Sequence, residues 1–109
     1  MHELAVTQEI VDLVCERAGG ARVRRVVVEI GKLSMVVPDA VRFCFDLCAE
    51  GTLAEGAALQ IEEPAGRGHC RACGGETTLQ SPFDGCACGS PEMEWISGQA
   101  LRVREMEVL

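Results

Sequence analysis

The sequence has very few aromatic residues: tyrosine is absent, and there are one tryptophan and three phenylalanines. Because hydrophobic residues still make up 48% of the chain, its core must be built from aliphatic side chains and cysteine. Basic residues are scarce as well, with 10 Lys and Arg against 17 Asp and Glu, for a net charge of -7. This balance argues against a bulk electrostatic attraction to nucleic acid or to an anionic membrane surface.

Long apolar runs are also missing, and no stretch approaches the roughly 20 residues of a membrane span. The chain opens with His and Glu and not with a basic region before an apolar run, so we expect no signal peptide and a cytoplasmic protein. In that compartment, cysteine pairs are more often metal ligands or redox groups than disulfides. We find no Ser/His/Asp set, phosphate loop or paired carboxylates, and therefore expect a non-enzyme.

Hydrophobic periodicity predicts the order helix, strand, helix, strand, cysteine module, strand, strand. The first helix should run from Leu4 to about Ala18 and end at Gly19-Gly20, and the first strand from Arg22 to about Leu33. Pro38 suits the first turn of the second helix. The apolar positions behind these predictions are Leu4, Ile10, Val11, Val14 and Ala18; Val26, Val28 and Ile30; Val41, Cys44, Phe45 and Cys48; and Leu59 and Ile61.

The segment from Ala65 to Pro91 differs from the rest, since it holds four of the seven cysteines and six glycines. It has too few large apolar residues for a core of its own. Beyond it, the alternation of the last strand slips between Val103 and Met106, which suggests a bulge or an edge. Because that strand should return to the first sheet, we expect an α+β (α/β-like) fold. This fold would place two helices on a small mixed three-stranded sheet. That domain would comprise 1–64 plus 93–109, and a zinc-ribbon-like module at 65–92 would be inserted into it.

The cysteine module contains two local pairs, Cys70 with Cys73 as C-x2-C and Cys86 with Cys88 as C-x-C. Two thiolate pairs on a hairpin supply the four soft ligands that Zn²⁺ takes in a tetrahedral structural site. A glycine follows the second cysteine of each pair, where it permits a tight turn. A redox dithiol would instead be one C-x-x-C at the start of a helix. Structural zinc is therefore the favoured interpretation.

The second pair is one residue shorter than in a regular ribbon, and Gly85 stands where its first cysteine would normally be. Cys86 can still bind in a tighter turn, and His69 is the alternative fourth ligand; thiolate is the softer of the two. Three further cysteines lie on helices. Cys44 and Cys48 are four residues apart, which would allow metal binding, but with Cys15 they are better explained as small hydrophobic residues.

The N-terminus is a chelator in its own right. The Met1 amine, the deprotonated His2 amide nitrogen and the His2 ring nitrogen can bind one ion, and the Glu3 amide or carboxylate can add a contact. A nitrogen-rich tetragonal set suits Ni²⁺ or Cu²⁺ better than Mg²⁺ or Ca²⁺. Taken alone, the stretch is better explained as an ordinary helix start, because Glu3 is favourable in a first turn.

Several segments in order carry a resemblance to a known family. They are MHE at the start, EIGKLSMVVPDAVRFCFD, GTLAEGAAL, CRACG with CGS, and SGQALRVREMEV at the end. Together the sequence resembles the HypA/HybF family of hydrogenase nickel-incorporation proteins over nearly its whole length. The C-x-C pair departs from the family, which usually has C-x2-C there.

The resemblance implies a nickel metallochaperone that delivers Ni²⁺ to the large subunit of [NiFe]-hydrogenase with a HypB-type GTPase, and in some organisms supplies urease and its accessory proteins. It implies transient nickel at Met1, His2 and Glu3 and structural zinc at Cys70, Cys73, Cys88 and, less securely, Cys86. A monomer and a homodimer both stay open.

Two other functional classes compete with this one. A zinc-ribbon adaptor or nucleic-acid-binding protein is the alternative, although the net charge and the few basic groups near the cysteines argue against nucleic acid. A thiol oxidoreductase would need a helix to lower a thiol pKa, and the module shows no helical pattern.

Overall fold

The structure is a computed structural model that describes residues 2–109, which divide into two compact units. The first unit comprises 2–29, Val36–Glu62 and Arg102–Leu109, and the second comprises Ile30–Met35 and Glu63–Leu101. The domains expected from the sequence, 1–64 plus 93–109 and 65–92, are parts that would fold separately, and their boundaries stay a prediction. Across the described residues, no helix is both long and apolar enough to cross a bilayer.

Within residues 2–109, two helices and six strands follow one another in the expected order. They are α1 (Glu3–Arg17), β1 (Val23–Ile30), α2 (Pro38–Ala49), β2 (Ala58–Glu62), β3 (Gly66–Cys70), β4 (Glu76–Leu79), β5 (Met93–Ser97) and β6 (Leu101–Val108).

The first unit contains the predicted mixed sheet, in the order β2-β1-β6. β1 and β2 are parallel, with Val26 opposite Leu59, and α2 provides the crossover that such a pair requires. Ion pairs join Arg25 to Glu107 and Glu29 to Arg102, which shows that β6 runs antiparallel to β1. The last strand therefore returns to the first sheet, and the expected fold class is confirmed.

β1 is buried on both faces, whereas its sequence predicted burial on one. Val26 and Val28 are fully buried on the side of the strand opposite Arg25 and Glu29, as expected. Val27 points the other way and is also fully buried. Its neighbours on that side, Arg25 and Glu29, hold their side chains across the sheet in ion pairs with β6.

The N-terminal turn of α1 also differs from the prediction. Leu4, expected in the apolar stripe, is 57% exposed, and Thr7 is fully buried in its place. The Thr7 hydroxyl donates to the Glu3 carbonyl oxygen at 2.6 Å, which satisfies the one polar atom that this burial would otherwise leave unpaired. The stripe then continues through Ile10, Val11 and Val14 as predicted.

α2 begins at Pro38, as predicted, and packs against α1. The helix buries Val41, Phe45 and Ala49, spaced four residues apart. Cys44 and Cys48 are half-buried and flank this stripe, so the prediction that they form part of it is only partly right. Burial raises the pKa of the Cys48 thiol, which keeps it neutral and close to the small hydrophobic residue that was expected.

The second unit has a three-stranded antiparallel sheet in the order β4-β3-β5 and little apolar interior. Its buried hydrophobic residues, among those described, are Ile30, Leu33, Cys70 and Leu79. The backbone approaches itself closely where Leu33 N–H donates to the Gly98 carbonyl at 2.9 Å. Gly98 has a φ of 103°, and a Cβ there would overlap the Cα of Gly66.

We predict that Gly98→Ala costs about 3 kcal/mol of unfolding free energy, from a left-handed backbone and a backbone overlap together. Gly89→Ala is the matched control, because Gly89 has a φ of 98° and nothing described lies within 4 Å of its missing Cβ. It should cost about 1 kcal/mol. Denaturant unfolding followed by Trp95 fluorescence measures both, and equal losses would contradict the overlap.

Candidate metal centres

Four cysteine sulfurs converge in the second unit. The Sγ atoms of Cys70, Cys73, Cys86 and Cys88 all lie within 4.8 Å of one another. Cys70 Sγ is 3.7 Å from Cys88 Sγ, and Cys73 Sγ is 3.7 Å from Cys86 Sγ. Disulfide sulfurs would be about 2.05 Å apart. A tetrahedron with Zn–S bonds of about 2.3 Å has edges of about 3.8 Å, so the spacing fits a structural zinc site.

Two tight turns of different length hold the sulfurs. After Cys70, the Gly74 N–H donates to the Cys70 carbonyl at 2.9 Å. After Cys86, the Gly89 N–H donates to the Cys86 carbonyl at 2.9 Å, which closes the turn one residue earlier. Both glycines have positive φ. The C-x-C pair therefore reaches the cluster through a shorter turn, and Cys86 lies within it.

Electrostatics at the cluster favour the thiolate that a metal requires. Cys70 is fully buried at the end of β3, and the Cys73 N–H points at its sulfur over 3.4 Å. Hydrogen bonding from that amide, with smaller contributions from the Ala72 backbone amide and the Cys73 and Cys88 thiols, lowers the pKa of Cys70 to about 6. At neutral pH this sulfur is therefore largely ionised and ready to bind a cation.

His69, the alternative fourth ligand, is placed apart from the sulfurs. It precedes Cys70 on β3, and successive strand residues point to opposite faces of a sheet. Its strand partners are Glu76 on β4 and Glu94 on β5. Among the described residues, the group that could hold a metal contains the four cysteines and no histidine.

The N-terminal candidate site lies in the first unit, ahead of α1. His2 is exposed, has an extended backbone (φ −91°, ψ 93°) and makes no side-chain capping hydrogen bond. Its imidazole is thus available to a ligand. Met1, the other predicted nitrogen donor, lies outside the described residues.

Glu3 is held in place by the second helix. Its Oε2 accepts a hydrogen bond from the Val37 N–H at 3.0 Å. Val37 is the N-cap of α2, and Pro38 after it keeps its backbone extended (φ −87°, ψ 111°). Because that bond stabilises the carboxylate, it lowers the pKa of Glu3 below the usual 4.5. Reasoning from the sequence missed Val37, since a backbone donor leaves no residue-type signal beyond the proline.

Comparison with known proteins assigns the chain to a family. A family model described as "Hydrogenase/urease nickel incorporation, metallochaperone, hypA" matches residues 1–108. The chain belongs to the HypA family of nickel-incorporation metallochaperones. The resemblance seen in the sequence is thereby confirmed.

Relatives and solved structures of HypA proteins agree with this assignment. The hydrogenase maturation factor HypA of Nostoc punctiforme is 54% identical over 108 residues, covering 99% of this chain and 96% of its own. That of Geobacter metallireducens is 51% identical over 109 residues, covering 99% of both chains. The solution structure of the Ni metallochaperone HypA from Helicobacter pylori superposes with a TM-score of 0.70 at 27% identity, covering 100% of this chain and 98% of its own.

We predict that the Glu3 carboxyl group titrates below pH 4.5 and that the Val37 amide shift follows it. A carboxyl group whose pKa is lowered by folding stabilises the folded state at pH values above its unfolded-state pKa. This stabilisation is lost as the pH falls through the folded-state pKa. An NMR titration from neutral to acidic pH measures both signals. In Glu3→Gln the Val37 shift should no longer titrate at this step; an amide insensitive to pH in the parent protein would contradict the hydrogen bond.

Proposed function

We propose that this HypA-family protein binds one Ni²⁺ at Met1, His2 and Glu3 and delivers it during maturation of [NiFe]-hydrogenase. The observation that carries the proposal is an exposed His2 without a side-chain capping bond, at the start of a chain that matches the nickel-incorporation family over residues 1–108. An imidazole at the surface is open to a partner that receives the ion. Nitrogen donors match the preference of Ni²⁺.

Glu3 supports this site in two ways. Its backbone amide, or the carboxylate oxygen that does not bond Val37, can serve as a donor to the ion. The Oε2–Val37 contact fixes where α1 begins relative to α2, both in the first unit. Since the ion is cargo, a site at a chain terminus suits release, because few contacts need to be broken.

The four cysteines would hold zinc as a resident structural ion. The fit rests on the sulfur spacing and on the lowered pKa of Cys70. The second unit buries few apolar side chains, so metal binding would supply folding free energy that its interior does not. Zinc would polarise no substrate there, because all four positions of a tetrahedron are taken by sulfur.

The family assignment also supports a proposal for the protein's partners. We propose a HypB-type GTPase, the hydrogenase large subunit as recipient, and urease accessory proteins as a further route, since the family description includes urease. We further propose a cytoplasmic protein without enzymatic activity of its own.

We expect one Ni²⁺ per chain in the parent protein and loss of nickel binding in His2→Ala, with fold and zinc retained. His69→Ala is the matched control, because the chain has two histidines and His69 lies on a strand among glutamates. Isothermal titration of untagged proteins with Ni²⁺ at neutral pH measures the difference. A His2→Ala protein that binds nickel as tightly as the parent would rule out the site.

A second prediction concerns zinc. Cys86→Ser should lower the zinc content well below one per chain after dialysis against a chelator and destabilise the second unit. Cys44→Ser, which changes a half-buried helical cysteine outside the cluster, should keep its zinc. Elemental analysis measures the zinc content, and Trp95 fluorescence during unfolding measures the stability of the second unit. If Cys86→Ser kept all of its zinc and His69→Ala lost its zinc, His69 would be identified as the fourth ligand.

A further inference from the structure

Phe83 is the most exposed of the large hydrophobic side chains that the structure describes, with 87% of its surface open to solvent. It lies in the second unit, in the loop between β4 and the second cysteine pair. Single exposed apolar residues are common on protein surfaces and need no partner. Phe83 differs from them because hydrogen bonds fix the backbone around it while its ring stays in solvent.

The residues from Ser81 to Asp84 form a β-turn that has Phe83 at its third position. The Asp84 N–H donates to the Ser81 carbonyl oxygen at 3.2 Å, which closes the turn. Pro82 occupies the second position, where its fixed φ favours such a turn. The tip of the loop therefore has a defined backbone conformation.

Two side chains hold this turn in place. The Asp84 carboxylate accepts hydrogen bonds from the Gln80 N–H at 2.8 Å and from the Ser81 hydroxyl at 3.0 Å. The Ser81 hydroxyl oxygen in turn accepts the Phe83 N–H at 3.2 Å. The network thus ends on the backbone of the residue that carries the exposed ring.

The turn is also tied to the rest of the second unit at both ends. Leu79, the last residue of β4, is fully buried just before it. Cys86, one of the four clustered cysteines, follows two residues after Asp84. At Gly85 the backbone packs closely, because a Cβ there would lie 2.8 Å from the Ser90 carbonyl oxygen. The loop therefore has little freedom to fold back over the ring.

We propose that Phe83 is an anchor residue, which inserts its ring into an apolar pocket of the protein that receives the ion. An aromatic ring buries a large apolar area, and a preorganised backbone reduces the entropy lost on binding. A few residues of this kind carry most of the binding free energy in many interfaces. The identity of the recipient, the hydrogenase large subunit, rests on the proposed function.

The charges around the ring indicate what borders the pocket. Residues 63–101 contain five acidic residues and two arginines. Both arginines are occupied, since Arg67 pairs with Glu76 and Arg71 with Glu94. The charge left over is negative, and it includes the carboxylate directly after the ring. Lysine or arginine side chains at the rim of the partner's pocket would complement it.

An anchor in the second unit suits the transfer of an ion that is held in the first. The proposed nickel ligands belong to the first unit, whereas Phe83 belongs to the second. Contacts made through the ion are lost when the ion leaves, but an apolar anchor does not depend on nickel. Two attachments on one chain also raise the effective concentration of each for the same partner.

Two substitutions test the anchor in a binding assay with purified large subunit. Phe83→Ala should raise the Kd about thirtyfold or more, the loss expected for an anchor residue. Ser81→Ala keeps the ring but removes the hydroxyl that holds the turn, and should raise the Kd about three- to tenfold. Phe43→Ala is the matched control and should leave the Kd unchanged, because Phe43 is 72% exposed on α2 of the first unit.

Fluorine NMR measures directly whether the ring becomes buried. With 4-fluorophenylalanine at the three phenylalanines, the signal that is missing from Phe83→Ala identifies position 83. This signal should shift and lose its sensitivity to D₂O when the large subunit is added. The signal of Phe43 should keep its position.

Zinc content and circular dichroism check that each variant folds, and nickel titration separates the anchor from the nickel site. Phe83→Ala should bind nickel as tightly as the parent while its docking is lost. Unchanged docking of Phe83→Ala, a Phe83 signal that does not move in the complex, or a loss confined to a HypB-type GTPase would each overturn the proposal. A parent protein that does not bind the large subunit would overturn it too, whereas loss of nickel in His2→Ala would still support the nickel site.

Discussion

The convergence of four sulfur atoms is the constraint on which the second unit depends. Its three short strands bury few hydrophobic side chains, and glycines rather than side chains fill the closest approaches of its backbone. Thiolates brought within 4.8 Å repel one another unless a cation lies among them. The arrangement therefore supports the proposed metal-dependent fold, in which amide groups directed at Cys70 would stabilise its thiolate for a cation.

The first unit holds the candidate nickel ligand His2 at its surface, directly ahead of α1. Thr7 and Glu3 fix the first turn of α1 through bonds to backbone atoms, whereas the side chain of His2 before them makes no capping hydrogen bond. The His2 carbonyl accepts a hydrogen bond from the Val6 N–H at 3.0 Å, so its backbone belongs to the first turn while its imidazole stays exposed. This arrangement supports the proposed nickel site, because it presents the imidazole in one direction and leaves it open to a recipient of the ion.

The sequence was most informative where local chemistry decides the structure. Pro38 and the glycine pair after α1 marked helix ends, and the cysteine spacing marked the cluster, because each acts through neighbouring residues. The sequence was less informative where contacts between distant residues decide the structure. Thr7 is buried in place of Leu4 because its hydroxyl finds an acceptor within the helix, and Val27 is fully buried between Arg25 and Glu29, whose side chains form ion pairs with β6. The Glu3–Val37 bond joins residues 34 positions apart, and no local pattern encodes it.

The path of the chain has a consequence for any attempt to exchange modules between relatives. Between the two units the chain passes four times, and the short segment Ile30–Met35 belongs with the cysteines although it follows β1 directly. There, Gly31 N–H donates to the Ala100 carbonyl and Lys32 N–H to the Pro64 carbonyl. A chimera that transplanted residues 63–101 as one continuous cassette would leave these donors behind in the host. Recombination that respects the fold must carry two separate pieces of sequence together.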